Sequence, residues 1–486
     1  MSDRRQRLRL FKLGAVLFGF LLIGLAELVC RLAGWGAGVA YEDPFVGFKG
    51  VNPLFELSSD GGRYEVAKAK LKFFSPESFP ATKKPGTSRI FCLGGSTVKG
   101  RPYSKETSFS SWLELSLEAA DPDRGWEVVN CGGISYASYR LVNLMRECLR
   151  HDPDLFVICT GHNEFLEDRT YEGIKGMSEA LARSQHWASN LRLYRLLKPV
   201  EPVPVATKRF EMSDEVEALL DFRGGLEVYD RNEKWRDDVV AHFEHNLMAM
   251  IELASAAGVP VMLVRPPSNL RSCPPFKSQH KDGLSIDDAL AWGTEIQTAR
   301  NFYATDMGKA VEHLESALRL DDRFAATHYE IGKCHEAMGQ RERAMKAYLR
   351  ALEEDVCPLR MIHSLVEAMT RVADGRSIPL IDVQSMLQPD SRLNILGSDQ
   401  LVDHIHPSID GHKRIADAIL SQLAKTGMVS KREGWESRRS KSFAVHFESL
   451  DAAYFAAARR ALHGLNEWAA GRAEGAPIAS RPSPSK

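Results

Sequence analysis

Ser88-Arg89-Ile90-Phe91-Cys92-Leu93-Gly94-Gly95-Ser96-Thr97-Val98 is the stretch that decides the fold. Its apolar run shows no polar alternation and stops at a glycine pair, the pattern of a strand buried on both faces. The pattern recurs downstream. Trp126–Asn130 (WEVVN) ends at Cys131-Gly132-Gly133, Asp154–Thr160 (DLFVICT) ends at Gly161, and Gly258–Val264 (GVPVMLV) is closed by Pro266-Pro267. A later run, Ile378–Val383 (IPLIDV), has the same character. Between these runs lie segments with helical spacing: Trp112–Ala120, Tyr139–Leu149, residues 233–257 and residues 411–426. Strands alternating with helices of this length predict an α/β fold, a parallel sheet covered by helices on both faces. Ligands of such open sheets sit beyond the carboxyl ends of the strands, and every glycine-rich break falls at that edge.

Composition narrows the function classes. The chain has 486 residues, 44% hydrophobic and 26% charged, which excludes wholesale disorder and a polytopic membrane protein. Lys+Arg 63 against Asp+Glu 64 leaves a net charge of −1, so no basic excess exists to neutralise phosphates and no nucleic-acid partner is expected. The eight cysteines are dispersed and form no CxxC pair, so they read as small buried hydrophobes rather than a zinc site or disulfide framework. No cofactor and no metal are expected.

The N-terminus predicts a compartment. Arg4, Arg5, Arg7, Arg9 and Lys12 form a basic cytoplasmic segment over residues 1–12, and an uncharged apolar run follows from Leu13 to Ala26. Extended through Glu27 to residue 33, this reads as a single-pass transmembrane signal-anchor over 13–33, with the rest of the chain extracytoplasmic, periplasmic in a Gram-negative cell. A cleaved signal peptide, with Gly38-Val39-Ala40 as its site, and a buried soluble helix are the alternatives.

The remaining organisation follows from shifts in pattern. Residues 36–88 form a Gly- and Pro-containing lead-in. Residues 89–287 carry the first part of the α/β domain, with a charged, proline-bearing insertion or lid at 167–230. Residues 359–430 carry its second part, 431–470 a C-terminal helix (amphipathic over 443–470), and 471–486 a Pro/Ser-rich tail expected to be disordered. Within 288–358, Ala310, Leu314 and Ala317 recur 34 residues later as Ala344, Tyr348 and Ala351. That period and the small–large alternation resemble the tetratricopeptide repeat, which implies inserted helical hairpins and a protein partner for them.

Four segments carry candidate chemistry. Ser96 follows a strand at a glycine turn, where its hydroxyl would project beyond the sheet. A hydroxyl becomes a nucleophile only when a base takes its proton, so a histidine is required. Asp403-His404-Ile405-His406 supplies one: a short Asp-x-x-His turn sets the carboxylate on the far ring nitrogen of His406. Between them lie Asn130–Tyr136 and Gly161-His162-Asn163-Glu164, each at a strand end. Acyl transfer needs donors aimed at a developing oxyanion, and a backbone amide of the glycine turn with the Asn163 side chain suits that task. His162, His404 and His412 read as neighbours of the catalytic turn, not as metal ligands.

In that order, the four segments resemble the blocks of the SGNH/GDSL hydrolase superfamily, over residues 89–165, 233–270 and 376–424. The resemblance implies an SGNH-type three-layer α/β/α sandwich and a serine esterase or acyl hydrolase without cofactor. It makes Ser96 the nucleophile, His406 the base and Asp403 its orienting partner, with Ser96, Gly133 and Asn163 forming the oxyanion hole. The implied substrate is an O-acyl ester of a glycan or lipid, cleaved or transferred through an acyl-Ser96 intermediate. Three positions depart from the pattern. Gly95 replaces the usual aspartate, Glu164 replaces the second acidic residue of the third block, and the second-block glycine falls on Ser135, with Gly133 the first choice as donor. An envelope scaffold bearing an incidental site is the alternative reading.

Overall fold

The computed structural model describes residues 50–168, 210–219 and 225–470, together with residues 14, 18, 19, 21–30, 32, 33, 43 and 45–48. All of the 1–12 segment, most of the 167–230 lid and all of the 471–486 tail lie outside the described residues. The chain divides into two compact units, residues 1–49 with 169–212, and residues 50–168 with 213–486. The described strands, in chain order, are β1 (Val46–Phe48), β2 (Phe55–Leu57), β3 (Arg63–Val66), β4 (Ser78–Pro80), β5 (Thr87–Gly94), β6 (Gly125–Gly132), β7 (Leu155–Cys159), β8 (Phe210–Met212), β9 (Val261–Arg265) and β10 (Leu380–Asp382).

In the first unit, β1 and β8 pair in parallel. Residues 21–30 are helical, with Glu27 and Cys30 buried. Among the described residues no helix is long and apolar enough to cross a membrane. This corrects the transmembrane helix expected over 13–33 and the extracytoplasmic placement built on it. The misreading has a physical source: the apolar run resembles a span in composition, but Glu27 and Cys30 are the residues that the helix buries.

The second unit is built on a five-stranded sheet of order β10-β9-β7-β5-β6, parallel throughout. Ile90, Cys92, Val157, Met262 and Val264 pack on one face with helices Phe109–Ala120 and Ile409–Lys425. Alternate residues Phe91, Leu93, Phe156, Ile158 and Leu263 are buried on the other, where helices Ser138–Cys148 and His363–Arg376 meet the sheet. The absence of polar alternation in these strands follows from this double coverage. The strand order reverses direction at β5, and the crevice beyond β5 and β7 is the place where such sheets hold ligands.

Two expectations needed revision. The 36–88 lead-in holds a three-stranded antiparallel sheet, β2-β3-β4, anchored by an aromatic cluster in which Phe79 meets Phe55 at 4.9 Å and Phe91 at 5.6 Å between ring centroids. The 443–470 helix is two, Trp435–Glu448 and Ala452–Ala470, because Asp451 interrupts the backbone ladder by accepting the Tyr454 N–H at 2.7 Å. In the insertion, helices Ile286–Phe302, Met307–Leu320, Ala325–Ala337 and Arg341–Glu354 pack each against the next. Ala310, Leu314, Ala317, Ala344, Tyr348 and Ala351 are all buried there. Gly332 is required by the approach of Tyr348, since a Cβ would lie 2.6 Å from that ring. All eight cysteines are buried and none is disulfide-bonded.

Candidate active site

β5 hands over at Gly95, in extended conformation (φ −86°, ψ −154°), to a single helical turn, Ser96–Lys99. The turn is tied down from β6 and from the next helix. Asn130 Nδ2 donates to the Val98 carbonyl and to Ser110 Oγ, both at 2.7 Å, while its Oδ1 accepts the Gly132 N–H at 3.0 Å. Ser108 Oγ donates to the same Val98 carbonyl at 2.6 Å. Ser96 is consequently buried, its position set by bonds that its own side chain does not make.

His406 arrives 310 residues later, on the loop that precedes helix Ile409–Lys425. Its Nε2 lies 2.7 Å from Ser96 Oγ, and its Nδ1 lies 2.6 Å from Asp403 Oδ2. Asp403 Oδ1 accepts the backbone N–H groups of Ile405 and His406 at 2.9 and 2.8 Å, which folds the Asp-x-x-His turn on itself. An ionised carboxylate only accepts, so Nδ1 carries the ring proton and Nε2 is left to accept the serine hydroxyl. Burial would raise the Asp403 carboxyl, but the neighbouring His406 and His404 and the His406 hydrogen bonds outweigh it and hold the group well below the usual carboxylate range. The loop itself is held by Asn269, whose Nδ2 donates to the Asp403 carbonyl at 2.8 Å and whose N–H donates to the His404 carbonyl at 2.9 Å.

Asn163 follows β7. Its Nδ2 donates to the Tyr136 carbonyl at 2.9 Å, which engages one of its two N–H bonds. Gly95 makes this possible: a Cβ there would lie 2.5 Å from Asn163 Nδ2. Glu164 acts on structure, accepting the Ser138 N–H at 2.9 Å and the Ser138 hydroxyl at 2.8 Å to fix the start of helix Ser138–Cys148. The expected donor Gly133 needs correction. Its N–H donates to the Gly94 carbonyl at 3.0 Å, continuing the β5–β6 ladder. Ser135, by contrast, adopts φ +62°, a conformation that glycine enters freely, and its N–H makes no hydrogen bond among the described residues.

The three flanking histidines are neutral spacers of the site. Burial pushes His404 down to about 4 and His412 down to about 3, and it holds His162 well below the usual histidine range. His412 Nδ1 accepts the Phe109 N–H at 3.2 Å, and His162 Nδ1 accepts the Met361 N–H at 3.1 Å. Among the described residues no three potential metal ligands come together. Ser96, Asn163, Thr160, His162, Pro266 and Ile405 line a small cavity at this edge of the sheet.

Sequence reasoning missed Asn269 and Arg360. Arg360, buried and paired with Asp355, donates to the Asn269 and Cys273 carbonyls at 2.8 and 2.7 Å, and so supports the residue that holds the Asp403 loop. Neither belongs to a local pattern; only the tertiary fold joins them to the site.

No protein-family profile matches the sequence, and no curated protein sequence matches it. Solved structures similar to the chain include a lipase/acylhydrolase from Enterococcus faecalis, at 13% identity over 71% of this chain and 100% of that one, with a TM-score of 0.32. Another is the acetylxylan esterase Axe2 from Geobacillus stearothermophilus, at 12% identity over 70% of this chain and 96% of that one, with a TM-score of 0.31. A third is an alpha/beta hydrolase enzyme from the metagenome of Lake Arreo, Spain, at 14% identity over 70% and 95%, with a TM-score of 0.31.

Proposed function

We propose that the chain is a serine ester hydrolase of SGNH type, with Ser96 as nucleophile, His406 as base and Asp403 as its orienting partner. The observation that carries this reading is the unbroken relay from Ser96 Oγ to His406 Nε2 at 2.7 Å and from His406 Nδ1 to Asp403 at 2.6 Å. In the first half-reaction His406 takes the hydroxyl proton as Oγ attacks the ester carbonyl, then returns it to the departing alcohol. The negative charge that develops on the carbonyl oxygen is met by the second N–H of Asn163 and the amides of Ser96 and Ser135. In the second half-reaction an acceptor hydroxyl releases the acyl group from Ser96 by the same proton route. Water as acceptor gives hydrolysis and a sugar hydroxyl gives transfer; the substrate in this reading is an O-acyl ester of a glycan or lipid.

The tetratricopeptide likeness of the inserted helices, and a protein partner docked on them, belong to the same proposal. It rests on the 34-residue spacing of positions that are all buried.

The test is a fluorophosphonate probe followed by peptide mapping, together with turnover of 4-nitrophenyl acetate. An adduct on Ser96, and a loss of at least ~10³-fold in kcat/KM for Ser96→Ala, are expected. Undiminished turnover by Ser96→Ala overturns the reading.

A further inference from the structure

Lys99 ends the nucleophile turn, and its side chain gives up solvent without meeting an acid. Among the described residues the half-buried amine pairs with no carboxylate and donates only to the Phe73 carbonyl, at 3.1 Å. Burial pushes it down to about 8, and the nearby Arg101 adds to the effect. Desolvating a charge for one neutral acceptor is unfavourable, so the role of the contact lies with that acceptor. The Phe73 carbonyl has two lone pairs, and it also accepts the Ile134 N–H at 3.0 Å.

Ile134 is the second residue of a turn closed by the Tyr136 N–H on the Gly133 carbonyl, at 3.2 Å. Ser135, the third, has φ +62° while Ile134 keeps a negative φ, which makes this a type II turn. That third position favours glycine, and a serine there is strained. The competing type I turn flips the central peptide and would carry the Ser135 N–H to the opposite face. Both proposed oxyanion donors depend on the turn, because the Tyr136 carbonyl also accepts Asn163 Nδ2 at 2.9 Å. Phe74 packs against it, its ring 4.8 Å from that of Tyr136.

Resting on the reading of Ser96 as the nucleophile and the Ser135 amide as an oxyanion donor, we propose that Lys99 is a positioning residue. Through the Phe73 carbonyl it ties the Gly133–Tyr136 turn to the nucleophile turn, in the form that aims the Ser135 N–H at the developing oxyanion. The lead-in around Phe73 is thereby part of the support of the site.

The experiment uses the full chain and 4-nitrophenyl acetate, with turnover counted per Ser96 titrated by a fluorophosphonate, so that unfolded protein does not enter. Removing one oxyanion donor costs about 10²–10³-fold in kcat, and loosening one costs less. Lys99→Met is expected to lower kcat about 5–30-fold with KM within about 2-fold of wild type. Ser135→Gly added to Lys99→Met favours the same turn without the tie and is expected to recover most of the loss. A general loosening of the fold would not be repaired by glycine, which itself adds backbone freedom to the unfolded chain. A kcat for Lys99→Met equal to wild type overturns the proposal, as does a change confined to KM or a loss that the added glycine leaves in place. If Lys99→Met yields no titratable serine, Lys99→Gln, whose amide stops one atom short of the amine, carries the same expectations. A wild type that neither labels at Ser96 nor turns over removes the nucleophile and this proposal together, whereas a labelled wild type with an unchanged Lys99→Met removes the positioning role alone.

Discussion

At Asp403, burial and charge pull in opposite directions, and charge wins: a carboxyl that solvent barely reaches stays ionised because His406 and two backbone N–H groups surround it. Replacing it with Asn keeps an acceptor for the backbone amides but offers an NH2 or a neutral oxygen to His406 Nδ1, which favours the wrong tautomer. Asp403→Asn is therefore expected to lower kcat on 4-nitrophenyl acetate by about 10³–10⁴-fold while the protein remains folded by circular dichroism. Gly95 makes a second case at the same scale. A methyl group there would meet Asn163 Nδ2 at 2.5 Å, so Gly95→Ala must displace the Asn163 amide, the oxyanion donor in the proposed mechanism. Steady-state kinetics should show kcat falling about 10–100-fold with the Ser96–His406 pair untouched. A kcat equal to wild type would mean that Asn163 does not serve the transition state.

The segment between helices Arg341–Glu354 and His363–Arg376 links the inserted helices to the Asp403–His406 loop. Asp355 accepts the N–H groups of Phe276 and Lys277 at 2.9 and 3.0 Å, and burial pushes its carboxyl up to about 6 despite the neighbouring Arg360. Arg360 reaches Asn269, and Met361 reaches His162. Removing the guanidinium leaves Asp355 buried without its cation, so Arg360→Met should lose about 3–5 kcal/mol of stability in urea unfolding. None of this linkage was legible in the sequence, since it joins residues 91 positions apart with no local pattern between them. The central strands were legible, because runs such as Ile90–Leu93 and Phe156–Ile158 are apolar on both faces. Strands β2 to β4, of three or four residues, are too short to show a period. Ser96, Asn163, Asp403 and His406 could be read because each follows a strand or sits in a compact turn. The backbone of Ser135 could not, because two adjacent glycines drew attention from it and its positive φ is visible only in the coordinates.

Across the second unit as a whole, buried titratable groups set how stability responds to pH, and they work against one another. His404 and His412, pushed down to about 4 and about 3 chiefly by burial, stay neutral in the fold while the unfolded chain takes up protons below about 6.5. Their contribution to stability is thus complete above that pH and is lost as pH falls toward the folded values, by about 1.4 kcal/mol per pH unit per histidine at most. Glu114 and Asp355, pushed up to about 7 and about 6, have the opposite sign: their contribution is present in acid and is lost as pH rises through those values. The wild-type pH profile is therefore a shallow difference, and a single-site exchange is needed to resolve a component. His412 suits this, being fully buried, with its Nδ1 engaged by the Phe109 N–H and with burial ahead of the nearby His406 as the cause of its low value. His412→Gln keeps an acceptor but no ionisable ring. Urea unfolding at pH 7 and pH 5 should find that the variant loses about 2 kcal/mol less than wild type on acidification, the value of 1.5 pH units below 6.5. Equal losses in the two proteins would mean that the ring protonates within the fold, and that the wall behind helix Phe109–Ala120 is open to water.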